Sequence, residues 1–389
     1  MKRTTGRYET SSVAGEMVAA FIPHPLPPAD PPLALDESLL ALMRKAEGSL
    51  ARLELAGEMV PSLKWFIYGF VRKEAVISSQ IEGTQASLID LLIFEATDRT
   101  GESLKADVEE VCNYLDALKY ARDELQRQRG LPLSMRLLKG THKRLMQGVR
   151  GSGKQPGEVR RCQNWIGGTR PGNAVYVPPP PQALAELLGS VEKYMYADDN
   201  LPPLVRAGLI HAQFETIHPF LDGNGRVGRL LITLLLEHWN LLSQPLLYLS
   251  LFFKRHRDEY YRLLNLIRTE GDWEAWMAYF LEGVAVIAEE AADVARDLSE
   301  LVSKGRNCLL TRANSTVMAL RIFELLPVKP ILTVANVVEQ LETTKPTAMK
   351  AINLLADAGI LSEITGRKRG QTFGYTAYLE RLRIGTDIE

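Results

Sequence analysis

The fold is decided at residues 218–229, His218-Pro219-Phe220-Leu221-Asp222-Gly223-Asn224-Gly225-Arg226-Val227-Gly228-Arg229, which stand between two apolar stretches of helical spacing, 203–217 and 226–239. Gly223-Asn224-Gly225 combines the residues that most readily take left-handed backbone angles, so successive N–H groups can converge on one anion-binding concavity. The helix that follows adds its positive N-terminal end. Arg226 and Arg229 lie three residues apart on its first turn and can grip the same anion. Together these groups exceed what one phosphate needs and suit a di- or triphosphate. Such a ligand normally arrives with Mg²⁺, for which Asp222 is the only carboxylate in the loop. His218, at the mouth, can take a proton from a hydroxyl near neutral pH. Phe220 reads as an apolar anchor that keeps the loop rigid and does no chemistry.

Outward from this loop the chain reads as predominantly helical. Apolar residues recur at helical spacing from Asp36 to about Met59, where Pro61 is expected to end the helix, and again over 62–82, with Phe66, Phe70, Lys73 and Ile77 along one side. Further helices are expected at about 104–128, 133–148 and 182–197, and more from about 254 to 303. Residues 21–33, with six prolines, cannot be helical and should run as an extended arm or leader. Between helices, RCQNWIGGTRPGNAVYVP (161–178) places two short β-prone runs around a turn-rich centre, which signals a β-hairpin. The C-terminal stretch has a different grammar: helices at 315–326, 333–342 and 345–358, then a hairpin with GRKRGQ at its tip, the pattern of a winged helix. The boundary is expected in the polar segment Lys304–Asn314, which carries Gly305.

Composition narrows the function classes. The 389 residues are 46% hydrophobic and 24% charged, ordinary values for a folded protein of two or three domains. A formal net charge of −1 leaves no global field for nucleic acid or anionic membrane. Cys112, Cys162 and Cys308 are odd in number and lack any CxxC spacing, which argues against a disulfide framework and a cysteine-rich zinc site. The basic N-terminus has no apolar run behind it, and no apolar stretch reaches the length of a membrane span, so a cytoplasmic protein without a membrane partner is expected. His142, His211, His238 and His256 have no partner at ligand spacing and read as surface or core residues.

The sequence HPFLDGNGRVGR resembles the signature of the Fic family, HPFx(D/E)GNGRxxR, at every specified position. The resemblance runs from about residue 60 to 240 and implies a helical core with a small β-hairpin flap, here followed by a winged helix. It implies a protein adenylyltransferase (AMPylase), a nucleotidyltransferase that uses ATP as co-substrate with Mg²⁺. His218 would deprotonate a Ser, Thr or Tyr hydroxyl of a target protein for attack on the α-phosphate. Asp222 would hold Mg²⁺, Gly223, Asn224 and Gly225 would cradle phosphate, and Arg226 and Arg229 would neutralise the leaving groups. The hairpin resembles the family's flap, whose strand edge, about 162–166 or 174–178, can add an extended target segment. Trp165 and Tyr176 can equally pack beneath it.

A second motif, Ser78-Ser79-Gln80-Ile81-Glu82-Gly83, resembles the family's inhibitory pattern (S/T)xxxE(G/N). Ser78 and Glu82 are one helical turn apart, so Glu82 can occupy Arg229 and displace the γ-phosphate. The expected organisation is therefore a proline-rich arm and helix (1–60), a Fic core (61–303) with inhibitory helix (about 62–82), flap (about 161–178) and Fic loop (218–229), and a winged helix (315–389). Two alternatives stay open: a deAMPylase on the same fold, and a winged-helix DNA-binding regulator whose core senses nucleotide. Residues 315–389 hold nine Lys or Arg against eight Asp or Glu, a small basic footprint for a DNA reader. The partner is a protein with an acceptor hydroxyl; self-modification and a homodimer are compatible with it.

Overall fold

The computed structural model describes residues 3–388 apart from 14, 60–61, 98–103, 149–152 and 368. Pro61 and Lys368, one expected to end the first helix and the other at the wing tip, lie outside the described residues. The chain opens with an antiparallel hairpin, β1 (Gly6–Val13) and β2 (Glu16–Pro23), which the sequence reading did not foresee. β1 is polar and mostly exposed while β2 is mostly buried, so no period-2 alternation marks the pair. The proline-rich segment beyond β2 is non-helical, and Arg3 fastens it by donating to the carbonyls of Pro31 and Pro32 while pairing with Glu274.

Helices then dominate: α1 (Glu37–Met59), α2 (Leu63–Ile81), α3 (Leu88–Thr97), α4 (Lys105–Gln126), α5 (Met135–Leu145), α6 (Leu184–Met195), α7 (Pro203–Ile217) and α8 (Asn224–His238). After them come α9 (Ser250–Arg255), α10 (Arg257–Thr269) and α11 (Trp273–Thr311). α3 was not expected; a short apolar run of this length carries no decisive period. α7 has no exposed face, every residue from Leu204 to Ile217 being buried, and α8 is buried from Arg226 to Leu236. Helices buried on every side lie at the centre of a core. Here α2, α4, α5, α6, α10 and α11 pack around this central pair, so the loop joining α7 to α8 is fixed at both ends. Among the described residues no helix is long and apolar enough to cross a membrane.

Two expectations need correction. The hairpin expected at 161–178 is a single β-bridge, Ile166 to Tyr176, around a short 3-10 turn at Pro171–Asn173. Gly167 and Gly168 both take positive φ, and Pro178–Pro181 have no N–H to extend a ladder. Of its two edges, the later one is already engaged, since Phe21 N–H in β2 donates to Val177 O at 3.0 Å. The linker expected at 304–314 is helical as far as Thr311, because α11 continues through it; Gly305 is buried there, where a Cβ would strike the Phe323 ring.

Beyond α11 come α12 (Val317–Leu325), β3 (Ile331–Thr333), α13 (Val334–Gln340), α14 (Lys345–Asp357), β4 (Ser362–Glu363), β5 (Thr372–Gly374) and α15 (Thr376–Leu382). The strands form an antiparallel sheet in the order β3-β5-β4. This C-terminal unit reaches back to α2: Leu382 packs on Gly69, Gln80 Nε2 donates to Thr386 O at 2.8 Å, and Lys254 Nζ bridges Gln80 Oε1 and Asp387 O.

Candidate active site

The end of α7 and the start of α8 build the site. Helix α7 closes at His218, whose backbone is left-handed (φ 49°, ψ 62°) with its N–H on Phe214 O. A non-glycine residue there costs about 1 kcal/mol or more and persists only when its surroundings impose it. Arg160 supplies that constraint: its Nε donates to His218 O at 2.9 Å, its Nη2 to Pro179 O at 2.6 Å, and its backbone N–H to Pro219 O at 2.9 Å. Burial chiefly, with the positive charge of Arg160 beside it, pushes the His218 imidazole down to about pKa 4. It is therefore a neutral base at physiological pH.

Phe220 is fully buried, as its anchor role requires, and stacks on the His142 ring with centroids 3.8 Å apart. Gly157 N–H donates to His142 Nδ1 at 2.8 Å, so Nε2 carries the proton and donates to Asp222 O at 3.0 Å. Burial holds that imidazole neutral, at about pKa 4. His142 is thus a satisfied interior residue, but one that braces the loop from below. His211 plays a similar part under α8, between Gly228 O and the Tyr260 hydroxyl.

Asn224 closes the loop on itself. Its Oδ1 accepts from Phe220 N–H and its Nδ2 donates to Phe220 O, both at 2.8 Å. In this structure the Asn224 side chain is engaged with both backbone groups of Phe220. Gly223 is left-handed (φ 78°) as the N-cap of α8, with Met146 and His142 where a Cβ would stand. Asp222 is half-exposed at the rim, with Oδ1 accepting from Gly223 N–H at 2.6 Å.

The two arginines face different elements. Arg229, 2% exposed, donates from Nε to Ser78 Oγ (2.9 Å) and from Nη2 to Ser78 O (2.8 Å) and Glu82 Oε1 (2.7 Å). Burial opposes the Glu82 charge, but the Arg229 guanidinium more than offsets it and holds the carboxyl below its ordinary pKa. The same carboxylate keeps Arg229 above its ordinary value against the effect of burial. A Cβ on Gly225 would collide with Glu82 Oε1, so this carboxylate rests on the first turn of α8, where the loop's N–H groups would receive an anion. The sequence-predicted Ser78, Glu82, Gly225 and Arg229 are thus brought together. Arg226 turns instead toward α4 and α5, with Nη1 3.5 Å from Glu110 and Nη2 3.6 Å from Met146 Sδ.

Arg160 and Glu215 were not singled out from sequence, and His142 was read there only as a surface or core residue. Glu215, one turn before His218, is buried against Gly228, and burial raises its carboxyl to about pKa 7. Tyr176 lies beneath the 161–178 segment, donating to Thr216 O at 2.6 Å, whereas Trp165 is exposed.

Residues 40–123 match the Fic/DOC family N-terminal model and residues 132–236 the Fic/DOC family model. Over 168 residues the chain is 31% identical to "Protein adenylyltransferase Fic" of Drosophila grimshawi, covering 43% of this chain and 31% of that one. The relative of the same name in Drosophila erecta is 30% identical over the same length. The match thus spans about a third of the length of these curated relatives. Among solved structures, a Fic family protein from Desulfovibrio desulfuricans G20 superposes with a TM-score of 0.57 over 89% of this chain and 98% of that one, at 20% identity. A fragment of Fic-1 from C. elegans gives 0.51 over 68% and 74%, also at 20% identity. Two family models and a shared fold, on either side of the site's geometry, lead to one statement of kinship: the chain carries a Fic N-terminal domain followed by a Fic domain.

Proposed function

We propose that this protein is an adenylyltransferase that moves AMP from ATP to a Ser, Thr or Tyr hydroxyl of a target protein, and that Glu82 restrains it. The observation that carries this reading is the Glu82 carboxylate resting on Arg229 at the first turn of α8, a few residues from a neutral, buried histidine. A carboxylate there stands in for a phosphate oxygen, and the groups that hold it are those a polyphosphate would use.

In the productive state Glu82 leaves, and the Gly223 and Gly225 backbone and Arg229 receive the phosphates. His218 accepts the proton of the target hydroxyl. The oxygen so freed bonds to the α-phosphorus, the bond from that phosphorus to the bridging oxygen breaks, and pyrophosphate carries away the electron pair. Positioning and electrostatics supply the acceleration, as phosphoryl chemistry requires. The half-exposed Asp222 fits Mg²⁺, which takes one carboxylate and completes its shell with phosphate oxygens and water. Among the described residues no group of three Asp, Glu, His or Cys side chains could hold a metal ion. Mg²⁺ supplies charge neutralisation at the phosphates.

The C-terminal unit is assigned as a winged helix, from the order α12, β3, α13, α14, β4, β5 and the β3-β5-β4 sheet. Incubating the full-length Glu82→Gly variant with ATP labelled at the α-phosphate and cell lysate tests the activity. Labelled proteins carrying AMP on a hydroxyl, absent when His218→Ala is added to the variant, are the expected result. Label transferred equally by the His218→Ala chain would overturn it.

A further inference from the structure

Two carboxyl groups, from two helices, rest on neighbouring positions of α8. A Cβ on Gly225 would collide with Glu82 Oε1, and one on Gly228 would collide with Glu215 Oε1. The two glycines are three residues apart and so face one side of the helix, their side-chain positions about 5–6 Å from each other. Glu82 comes from the end of α2 and is ionised on Arg229. Glu215 comes from α7; it is 9% exposed, and its Oε1 is buried with no hydrogen-bond partner among the described residues. One guanidinium does not neutralise two carboxylates in a buried site, and the less satisfied of them keeps its proton. Burial is the main cause here, and the charge of Glu82 adds to it against the opposing effects of Arg229 and, from α10, Arg268. Tyr260 and Tyr261 of α10 lie close enough to feel the same carboxyl, and burial keeps both phenols protonated. On α7 itself, burial keeps His211 and His218 neutral.

A protonated carboxyl group is a hydrogen-bond donor, and its bond to an anionic oxygen is among the stronger ones. We infer that Glu215 is a further binding residue for the terminal phosphate: on the Gly228 side of the first turns of α8, its carboxyl O–H donates to an oxygen of the group that replaces Glu82 on Arg229. Ionised, the same side chain would stand beside the phosphate as a like charge, so the ligand and the Glu215 proton are bound together. This deepens the reading proposed above, on which it rests for phosphate as the ligand.

The probe is inorganic pyrophosphate, titrated calorimetrically without added metal into the full chain carrying Glu82→Gly, with and without Glu215→Gln. Glutamine keeps an N–H donor but cannot ionise, and the protonation of pyrophosphate itself cancels in the ratio of the two affinities. At about pH 5.5 the two chains should bind within about twofold of each other; at about pH 8.5 the glutamine chain should bind about tenfold more tightly, because Glu215 must first take up a proton. A ratio that does not change with pH overturns the inference, since a merely structural effect of glutamine would not follow pH. Glu215→Ala, which removes the donor, should bind more weakly than Glu215→Gln at both pH values, and equal affinity of the two overturns the inference as well. If Glu215→Gln does not fold, the Glu82→Gly chain is titrated at about pH 8 with sulfate, a dianion throughout this range, in two buffers of different ionisation enthalpy. Proton uptake on binding is then expected, and binding without uptake overturns the inference. Neither titration depends on AMP transfer. A chain that shows the pH-dependent ratio yet transfers no AMP refutes the adenylyltransferase reading and keeps this one, and transfer with a flat ratio does the opposite.

Discussion

Replacing Glu82 with glycine should open the site, and the structure bounds by how much. The contact to be broken is a single charge-assisted hydrogen bond of 2.7 Å between a guanidinium 2% exposed and a carboxylate 34% exposed. Breaking one side of a fully buried pair costs about 3–5 kcal/mol, and an exposed pair contributes about 0–1 kcal/mol. With one partner a third in solvent, the competition that ATP must overcome is about 1–2 kcal/mol, or roughly 5- to 30-fold in affinity. Glu82 caps the C-terminal end of α2 without belonging to the helix, so glycine there costs the helix little. Calorimetric titration of ATP into wild type and Glu82→Gly should show that gain, and initial rates of AMP transfer should rise with it. Glu82→Gln separates charge from volume and should fall between the two. Arg229→Ala should not imitate Glu82→Gly, because it also removes the grip on phosphate. Unchanged ATP affinity, with slower removal of AMP from a modified target, would refute the reasoning and assign Glu82 to hydrolysis.

His218→Ala should leave ATP binding near wild type while cutting transfer by about 10²- to 10⁴-fold, measured as initial rates at saturating ATP. Because burial holds His218 at about pKa 4, the profile of kcat/KM should stay level down through the ordinary histidine range and fall only near that value; an acid limb centred near the unperturbed histidine pKa contradicts this. Asp222→Ala should abolish activation by Mg²⁺ together with most transfer, and retained activation would move the metal elsewhere. Glu215 is raised to about 7, so its folded state keeps a proton and stability is lost as pH rises through that value. Glu215→Gln should therefore raise the melting temperature more at pH above about 8 than below about 5. Truncation after Leu382 removes the Thr386 and Asp387 carbonyls that hold Gln80 and Lys254; basal transfer should rise through a loosened α2, and an unchanged rate would show the tail to be passive.

The helices were legible because each carries its own period. Phe66, Phe70, Lys73 and Ile77, read as one side of a helix, are all buried along α2. What was not legible depends on residues far apart in the chain. Nothing local marks Arg160 as the residue that holds His218, 58 positions away, or His142 as the ring beneath Phe220. Gly305 misled for a physical reason: a glycine in a polar stretch reads as a linker, but here it lets Phe323 approach the helix closely. The 161–178 segment misled in the other direction, since its β-prone side chains are present but its glycines and prolines deny the backbone a ladder beyond one bridge. Glu110 escaped notice because only the fold brings the beginning of α4 to the start of α8.

The two sides of the site are built to different rigidities, and this decides which side can move. From below, the loop is locked by a set of buried bonds: Asn224 satisfies both backbone groups of Phe220, His142 in a single tautomer joins Gly157 to Asp222, and the Arg160 side chain spans four backbone carbonyls. Releasing any of these would strand a buried polar group at a cost of about 1–3 kcal/mol. From above, the restraint comes from the end of α2, whose Glu82 is partly exposed and whose half-buried Gln80 is joined to the C-terminal tail through Thr386 O and Lys254. Its departure strands less, because an arriving phosphate replaces the carboxylate on Arg229 group for group. On the proposed reading the nest can therefore stay preorganised while the helix end that covers it is exchanged for substrate, so activation would need a local displacement after Ser79 and no rearrangement of α7 or α8.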